Sequence, residues 1–224
     1  MGLAIPASLK GLSVAIIGMG HSAAPALADA FTGHVWTINE AKAANCSMII
    51  AMDDLRRDKV THPDYVEQLV ARAAPLVTTN HYPEYPTTLA YPLREVIDSV
   101  FDGDESIASR CLKNTCGYAL ALAVCKQANE IFLIGFDFCA PDKKLLLDNA
   151  WPDRIKLNDP SWFKYYDKEV IKNRWHREPG EAGVNFLLGL AFARKIDVNI
   201  YDNSTLLDSD RPDFFYGYQE QPKL

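Results

Sequence analysis

The sequence predicts an α/β fold, a Rossmann-like open and mostly parallel sheet with helices on both faces and a small lid. Three observations carry this. An apolar run at 12–18 (LSVAIIG) ends in glycine and leads into an alanine-rich segment. Two further short apolar runs follow within about thirty residues of it, each closing on a polar residue. Finally, a strongly apolar stretch at 114–127 feeds another β-rich run at 130–135. Short strands alternating with helical segments imply parallel pairing with right-handed crossovers.

Taken in order, residues 12–18 read as a buried first strand. Residues 18–22 (GMGHS) turn the chain into a helix with Ser22 as a candidate N-cap. Residues 34–38 form a second strand, 40–44 a short helix and 46–51 a third strand running into Asp53 and Asp54. Residues 65–73 read as helix and 76–79 as strand. The segment 81–92 carries Pro83, Pro86 and Pro92 and predicts no regular structure. Residues 114–127 predict a buried helix because apolar side chains occupy most of its faces. A central strand at 130–135 follows, with Asp137 just beyond it. Residues 140–160 hold three prolines and predict a long loop, 161–174 and 181–195 predict helices, and 197–201 a last strand.

The chain of 224 residues suits one domain, 1–224, with 139–175 as a flap. No apolar run reaches membrane-spanning length, and the first residues lack the layout of a secretory signal, so a cytoplasmic protein with no membrane partner is expected. Five cysteines without a CxxC pair argue against a disulfide framework or a zinc knuckle. A net charge of −6 argues against a generic nucleic-acid binder. The window 143–177 departs from that balance: nine basic residues against five acidic ones give it +4 and leave the rest at −10. It reads as a solvated surface or as a basic flap over an anionic ligand.

Four constellations carry chemistry. In the turn Gly18, Met19, Gly20, His21 and Ser22, glycines let backbone approach a ligand and the helix start offers unpaired N–H groups to a phosphate. It matches neither G-x-G-x-x-G nor a P-loop, and a plain strand-to-helix turn is the alternative. Asn39 and the pair Asp53–Asp54 end the next two strands, and in open parallel sheets ligands bind beyond the carboxyl ends of strands. Asp53 and Asp54 could hold Mg²⁺ or Mn²⁺ against a diphosphate, bind a ribose, or simply start a loop. Thr115, Cys116 and Gly117 open the apolar helix, where a hydroxyl can cap or meet an anion. His176, before the predicted helix at 181 and among Arg177 and Glu178, is a candidate general base.

Several of these segments resemble the bacterial sialyltransferases of the Campylobacter type. VAIIGMGHS is similar to that family's first strand and turn, VWTINEA to its second strand with a ligand-contacting asparagine, here Asn39. NTCGYALALAVCKQANEIFLIGFDF resembles its central helix and the strand ending in G-x-D-F, and VNIYDNSTLLD resembles its last strand. The spacing from His176 to Glu181 matches without a gap. The resemblance implies a sialyltransferase-like GT-A variant that transfers a sugar from a CMP- or UDP-type nucleotide sugar to an acceptor hydroxyl with inversion. It places the base at His176, makes no strict demand for metal, and puts Gly18, Gly20, His21, Ser22, Asn39, Asp53, Thr115, Cys116, Gly117 and Asp137 on the donor.

Departures accompany the match. Met19 and His21 replace the family's Asn and Pro, Asp53 replaces a donor-touching asparagine, and Cys139 replaces a lid tyrosine. The acceptor expected is a glycan or, since the architecture resembles that of short glycosyltransferases found in part in bacteriophages and certain phage glycosyltransferases decorate hydroxymethylated bases, DNA of that kind, which the basic window 143–177 would suit. The fold also resembles archaeal-type hydroxymethylpterin pyrophosphokinases, which implies Mg²⁺-dependent diphosphate transfer as the competing activity. A non-catalytic nucleotide-binding protein is the third reading, and aromatic residues at 161–166 leave room for a homo-oligomer.

Overall fold

A computed structural model describes residues 4–18, 30–136 and 174–200, without the side chains of 174–181. Seven strands form one sheet in the order β5-β4-β3-β2-β1-β6-β7. They are β1 (Ser13–Ile17), β2 (His34–Ile38), β3 (Met48–Ile50), β4 (Leu76–Thr78), β5 (Thr88–Ala90), β6 (Glu130–Ile134) and β7 (Asp197–Ile200). Every pairing is parallel. The chain works outward from β1 to β5, then returns to the other side of β1 for β6 and β7, so the topological switch lies between β1 and β6.

Alternation along the strands divides the core in two. Val14, Ile16, Trp36, Ile38, Met48, Ile50, Ile131 and Leu133 face one side and pack with the helices α3 (Leu93–Val100), α4 (Glu105–Cys111), α5 (Thr115–Cys125) and α6 (Arg174–Ala193). On the opposite face Ile49, Ala51 and Leu76 pack with α1 (Leu55–Thr61) and α2 (Pro63–Val70). Ala15, Ile17, Val35 and Ile134 share that second face with Phe31 and Phe132, whose rings meet edge to face. Burial on both faces explains why the strands read as continuous apolar runs instead of alternating ones.

Three expectations need correction. Residues 40–44 are turn and coil, not helix. Only nine residues separate β2 from β3, so the connection crosses by a turn at Asn39, whose φ is 51°, with Ala41 buried against the sheet. Inside the proline-rich segment, Thr88–Ala90 forms the edge strand β5. Its prolines flank the strand without interrupting it, and an edge position needs only one ladder. The last long helix starts at Arg174, seven residues earlier than predicted, and continues through Pro179. His176 is therefore in the first turn of α6 instead of ahead of it. Three helices, α1, α3 and α4, were not anticipated; two of them start behind Asp caps, at Asp54 and Asp104. The helices and loop expected between 137 and 173 lie outside the described residues.

Candidate functional site

Because all seven strands are parallel, the residues that follow them line one edge of the sheet. Gly18 follows β1, Asn39 follows β2 and Asp53 follows β3, and these three strands are neighbours. All three residues therefore lie along the same edge of the sheet, on adjacent strands. Two helices also start at this edge. Leu9, just before β1, donates to the carbonyl of Lys126 at 2.6 Å, which pins the end of α5 to the amino edge and leaves Thr115 at the carboxyl edge. α6 leads into β7 in the same sense. Gly183 of α6 packs on the backbone of Cys111, next to the start of α5. His176 lies seven residues earlier, two turns or about 10 Å further along the helix axis.

Gly18 has a packing reason to be glycine. Its N–H donates to the Ile134 carbonyl at 2.7 Å, and a Cβ there would fall 2.4 Å from the carbonyl oxygen of Gly135. The missing side chain lets the ends of β1 and β6 close on each other at the switch point, the position where ligands bind in sheets of this kind. Gly20, His21, Ser22 and Asp137 lie outside the described residues.

Asn39 is held on both sides of its backbone. Its N–H donates to the Ile50 carbonyl at 2.9 Å, and its own carbonyl accepts from Arg72 at 3.3 Å. Its side-chain oxygen Oδ1 is shielded from solvent and has no hydrogen-bond partner among the described residues. A buried acceptor left unmatched costs about 1–3 kcal/mol and warrants an explanation.

Asp53 is half-buried and receives a short hydrogen bond from the Tyr65 hydroxyl. Burial raises its pKa, and the neighbouring Asp58 adds to the rise, while the Tyr65 bond and Arg57 oppose it. Asp54 is engaged elsewhere: it caps α1 by accepting from the N–H groups of Arg56 and Arg57, and the Tyr82 hydroxyl donates to the same oxygen at 3.3 Å. Arg56 in turn pairs with Glu84 through two hydrogen bonds and lies over the Tyr82 ring. Asp54 thus helps hold the loop after β4. Among the described residues no group of three His, Cys, Asp or Glu side chains could hold a metal ion.

The start of α5 is largely closed. Asn114 caps it, accepting from the Gly117 N–H at 2.9 Å. A Cβ on Gly117 would lie 2.5 Å from the Cys111 carbonyl oxygen, so this glycine allows α5 to rest on the end of α4. Burial pushes the Cys116 thiol up to about 12, which keeps it protonated at neutral pH and unsuited to nucleophilic attack. Thr115 remains half-buried at the carboxyl edge with its hydroxyl on the first turn.

Tyr65, Arg72, Tyr82 and Thr37 escaped sequence reasoning, although each supports this edge. Arg72 had a signal: it is the one charged residue in the apolar run LVARAAPLV. The tyrosines had none, since their position on α2 and in the loop after β4 is that of ordinary core aromatics.

These features define a class: an open, doubly covered parallel α/β sheet with its polar strand ends beside a topological switch. No family model matches the sequence, and no curated protein matches it either. Solved structures do match. The sialyltransferase CstII from Campylobacter jejuni in complex with cytidine-5′-monophosphate superposes with a TM-score of 0.51 at 15% identity, over 88% of this chain and 83% of that one. The same enzyme with CMP-3FNeuAc gives 0.49 at 16% identity, covering 87% and 83%. With a trisaccharide acceptor and CMP it gives 0.49 at 14% identity and the same coverage. The likeness is one of fold. No helix among the described residues is long and apolar enough to cross a membrane.

Proposed function

We propose that this chain is an inverting glycosyltransferase that takes a sugar from a CMP-type nucleotide sugar and transfers it to an acceptor hydroxyl, with His176 as general base. The observation that carries the reading is Asn39: a shielded, unmatched amide oxygen at the end of β2, beside the β1/β6 switch. A ligand N–H or O–H would satisfy it. Further support is the fold shared with an enzyme that was solved with CMP bound.

In this reading the turn 18–22 and Asn39 hold the nucleotide, and Asp53, fixed by Tyr65, accepts from a ribose or sugar hydroxyl. Thr115 faces the donor phosphate. Of its two neighbours, Gly117 serves packing and Cys116 contributes shape. Asp137, outside the described residues, is assigned to the donor with them. The acceptor oxygen attacks the anomeric carbon from the face opposite the phosphate. As the new C–O bond forms, the bond to the phosphate oxygen breaks, its electron pair leaves with the nucleoside monophosphate, and the acceptor proton passes to His176. Positioning and stabilisation of the departing phosphate supply most of the rate, and a general base adds about 10²–10⁴-fold. This chemistry makes no demand on a metal, consistent with Asp54 acting as a helix cap.

The test is a thermal-shift panel of CMP, UDP, ATP and their sugar conjugates with and without Mg²⁺, followed by transfer assays on oligosaccharide and on hydroxymethylated DNA. A ligand that binds only the folded state raises the melting temperature. Stabilisation by CMP and a CMP-sugar without Mg²⁺, with His176→Ala keeping CMP binding and losing at least about 10²-fold in transfer, is the expected result. Stabilisation by ATP alone with Mg²⁺ would replace this reading with diphosphate transfer.

A further inference from the structure

Arg72 follows α2 and is half-buried, yet it pairs with no carboxylate among the described residues. Its guanidinium spans two acceptors of β2: Nη2 donates to Thr37 Oγ1 at 3.0 Å and Nη1 to the Asn39 carbonyl at 3.3 Å. Thr37 is itself fully buried and contacts Cys46 Sγ at 3.3 Å. Burial lowers the pKa of Arg72, and contact with Cys46 opposes that shift. A guanidinium remains protonated at neutral pH, so a charge is kept in a partly dry layer with no carboxylate partner among the described residues.

What that charge holds is unusual. Asn39 has a φ of 51°, a left-handed conformation that a non-glycine residue adopts at a cost. Ile50 fixes its N–H and Arg72 fixes its carbonyl, so the peptide planes on both sides are set. With the backbone fixed in this way, fewer side-chain rotamers are open to Asn39, and its Oδ1 is without a partner among the described residues.

We propose that Arg72 is a positioning residue: it clamps Asn39 in the left-handed conformation so that the amide oxygen stands ready for an N–H or O–H donor of the nucleotide. Arg72 touches no ligand and acts through Asn39 alone. The inference rests on the nucleotide reading of the preceding section. It extends that reading by making the long side chain that follows α2, and not the loop sequence around Asn39, the source of the site's geometry. The planar fork presents two donors in a fixed geometry to the two acceptors, which a single ammonium on a flexible stem does not reproduce.

The experiment is calorimetric titration of CMP into the wild type, Arg72→Met, Arg72→Lys, Asn39→Ala and the Met/Ala double variant, with the melting temperature of each free protein. Each single substitution is expected to weaken CMP about tenfold, the size of one lost hydrogen bond. The double variant should bind no worse than Asn39→Ala alone, because residues that act through one contact are not additive. Arg72→Lys should resemble Arg72→Met more than the wild type. If Arg72→Met fails to fold, Arg72→Lys takes its place in the cycle. Two results would overturn the inference: a lowered melting temperature with CMP affinity unchanged, or losses that add in the double variant. A wild type that binds no CMP is a different failure, visible without any variant. It removes the nucleotide reading and this inference together.

Discussion

Two polar stretches at the carboxyl edge stand out in the sequence, and the fold treats them in opposite ways. At the start of α5, Asn114 satisfies the Gly117 N–H and Gly117 is pressed against Cys111, so that stretch is closed by its own chain. At the ends of β2 and β3, Asn39 has an acceptor without a partner among the described residues, and Asp53 carries a carboxylate whose charge is disfavoured by burial. A polar group that is fully matched contributes stability. One left unmatched lowers stability and is retained where a ligand completes it.

The closed region is the easier one to break. Gly117→Ala would drive a Cβ to within 2.5 Å of a backbone oxygen, which cannot rotate away. Forced overpacking of this kind costs about 1–3 kcal/mol. Urea denaturation should show that loss, whereas Gly189→Ala on α6, with nothing within 4 Å of the new methyl, should be neutral or stabilising. Equal effects at the two glycines would mean that the α4–α5 contact is not tight.

Asn114→Ala sharpens the comparison at smaller cost. Loss of an N-cap removes about 1 kcal/mol. Since the capped N–H belongs to the helix and not to a ligand, CMP affinity should stay at the wild-type value in the same titration. A drop in affinity matching that of Asn39→Ala would place the Gly117 amide on the ligand after all.

Why one region was read well and the other poorly follows from the range of the interactions. The strands and the α5 helix depend on neighbours a few residues away, and periodicity records those, though the cap falls on Asn114 and not on Thr115. Asn39 was found because a polar residue at a strand end is a local signal. Arg72 and Tyr65, which set its backbone and the carboxylate of Asp53, approach from 33 and 12 residues away, and no local pattern encodes such pairings. The helix expected at 40–44 failed for a related reason. Alanines favour helix locally, but a nine-residue crossing between adjacent parallel strands leaves no length for one. The early start of α6 is the same lesson in reverse: Pro179 and Gly180 look like a boundary, and the helix runs through them because its later turns are packed on α4 and α5.

The smallest effect distinguishes the two regions by pH. Burial raises the pKa of Asp53 above its unfolded value of 3.8, so the folded state holds this proton more tightly than the unfolded chain does. Its contribution to stability is therefore fully present below pH 3.8 and is lost as pH rises through the folded pKa. Asp53→Asn removes the charge while keeping an acceptor for Tyr65. It should raise the melting temperature by a few degrees at pH 7–8, and the difference from wild type should shrink as the pH falls towards 3.8. Asn114→Ala at the closed region should show no such convergence. An Asp53→Asn protein less stable than wild type at pH 7 would mean that the Tyr65 contact outweighs burial, and the carboxylate would then belong with the matched groups at the start of α5.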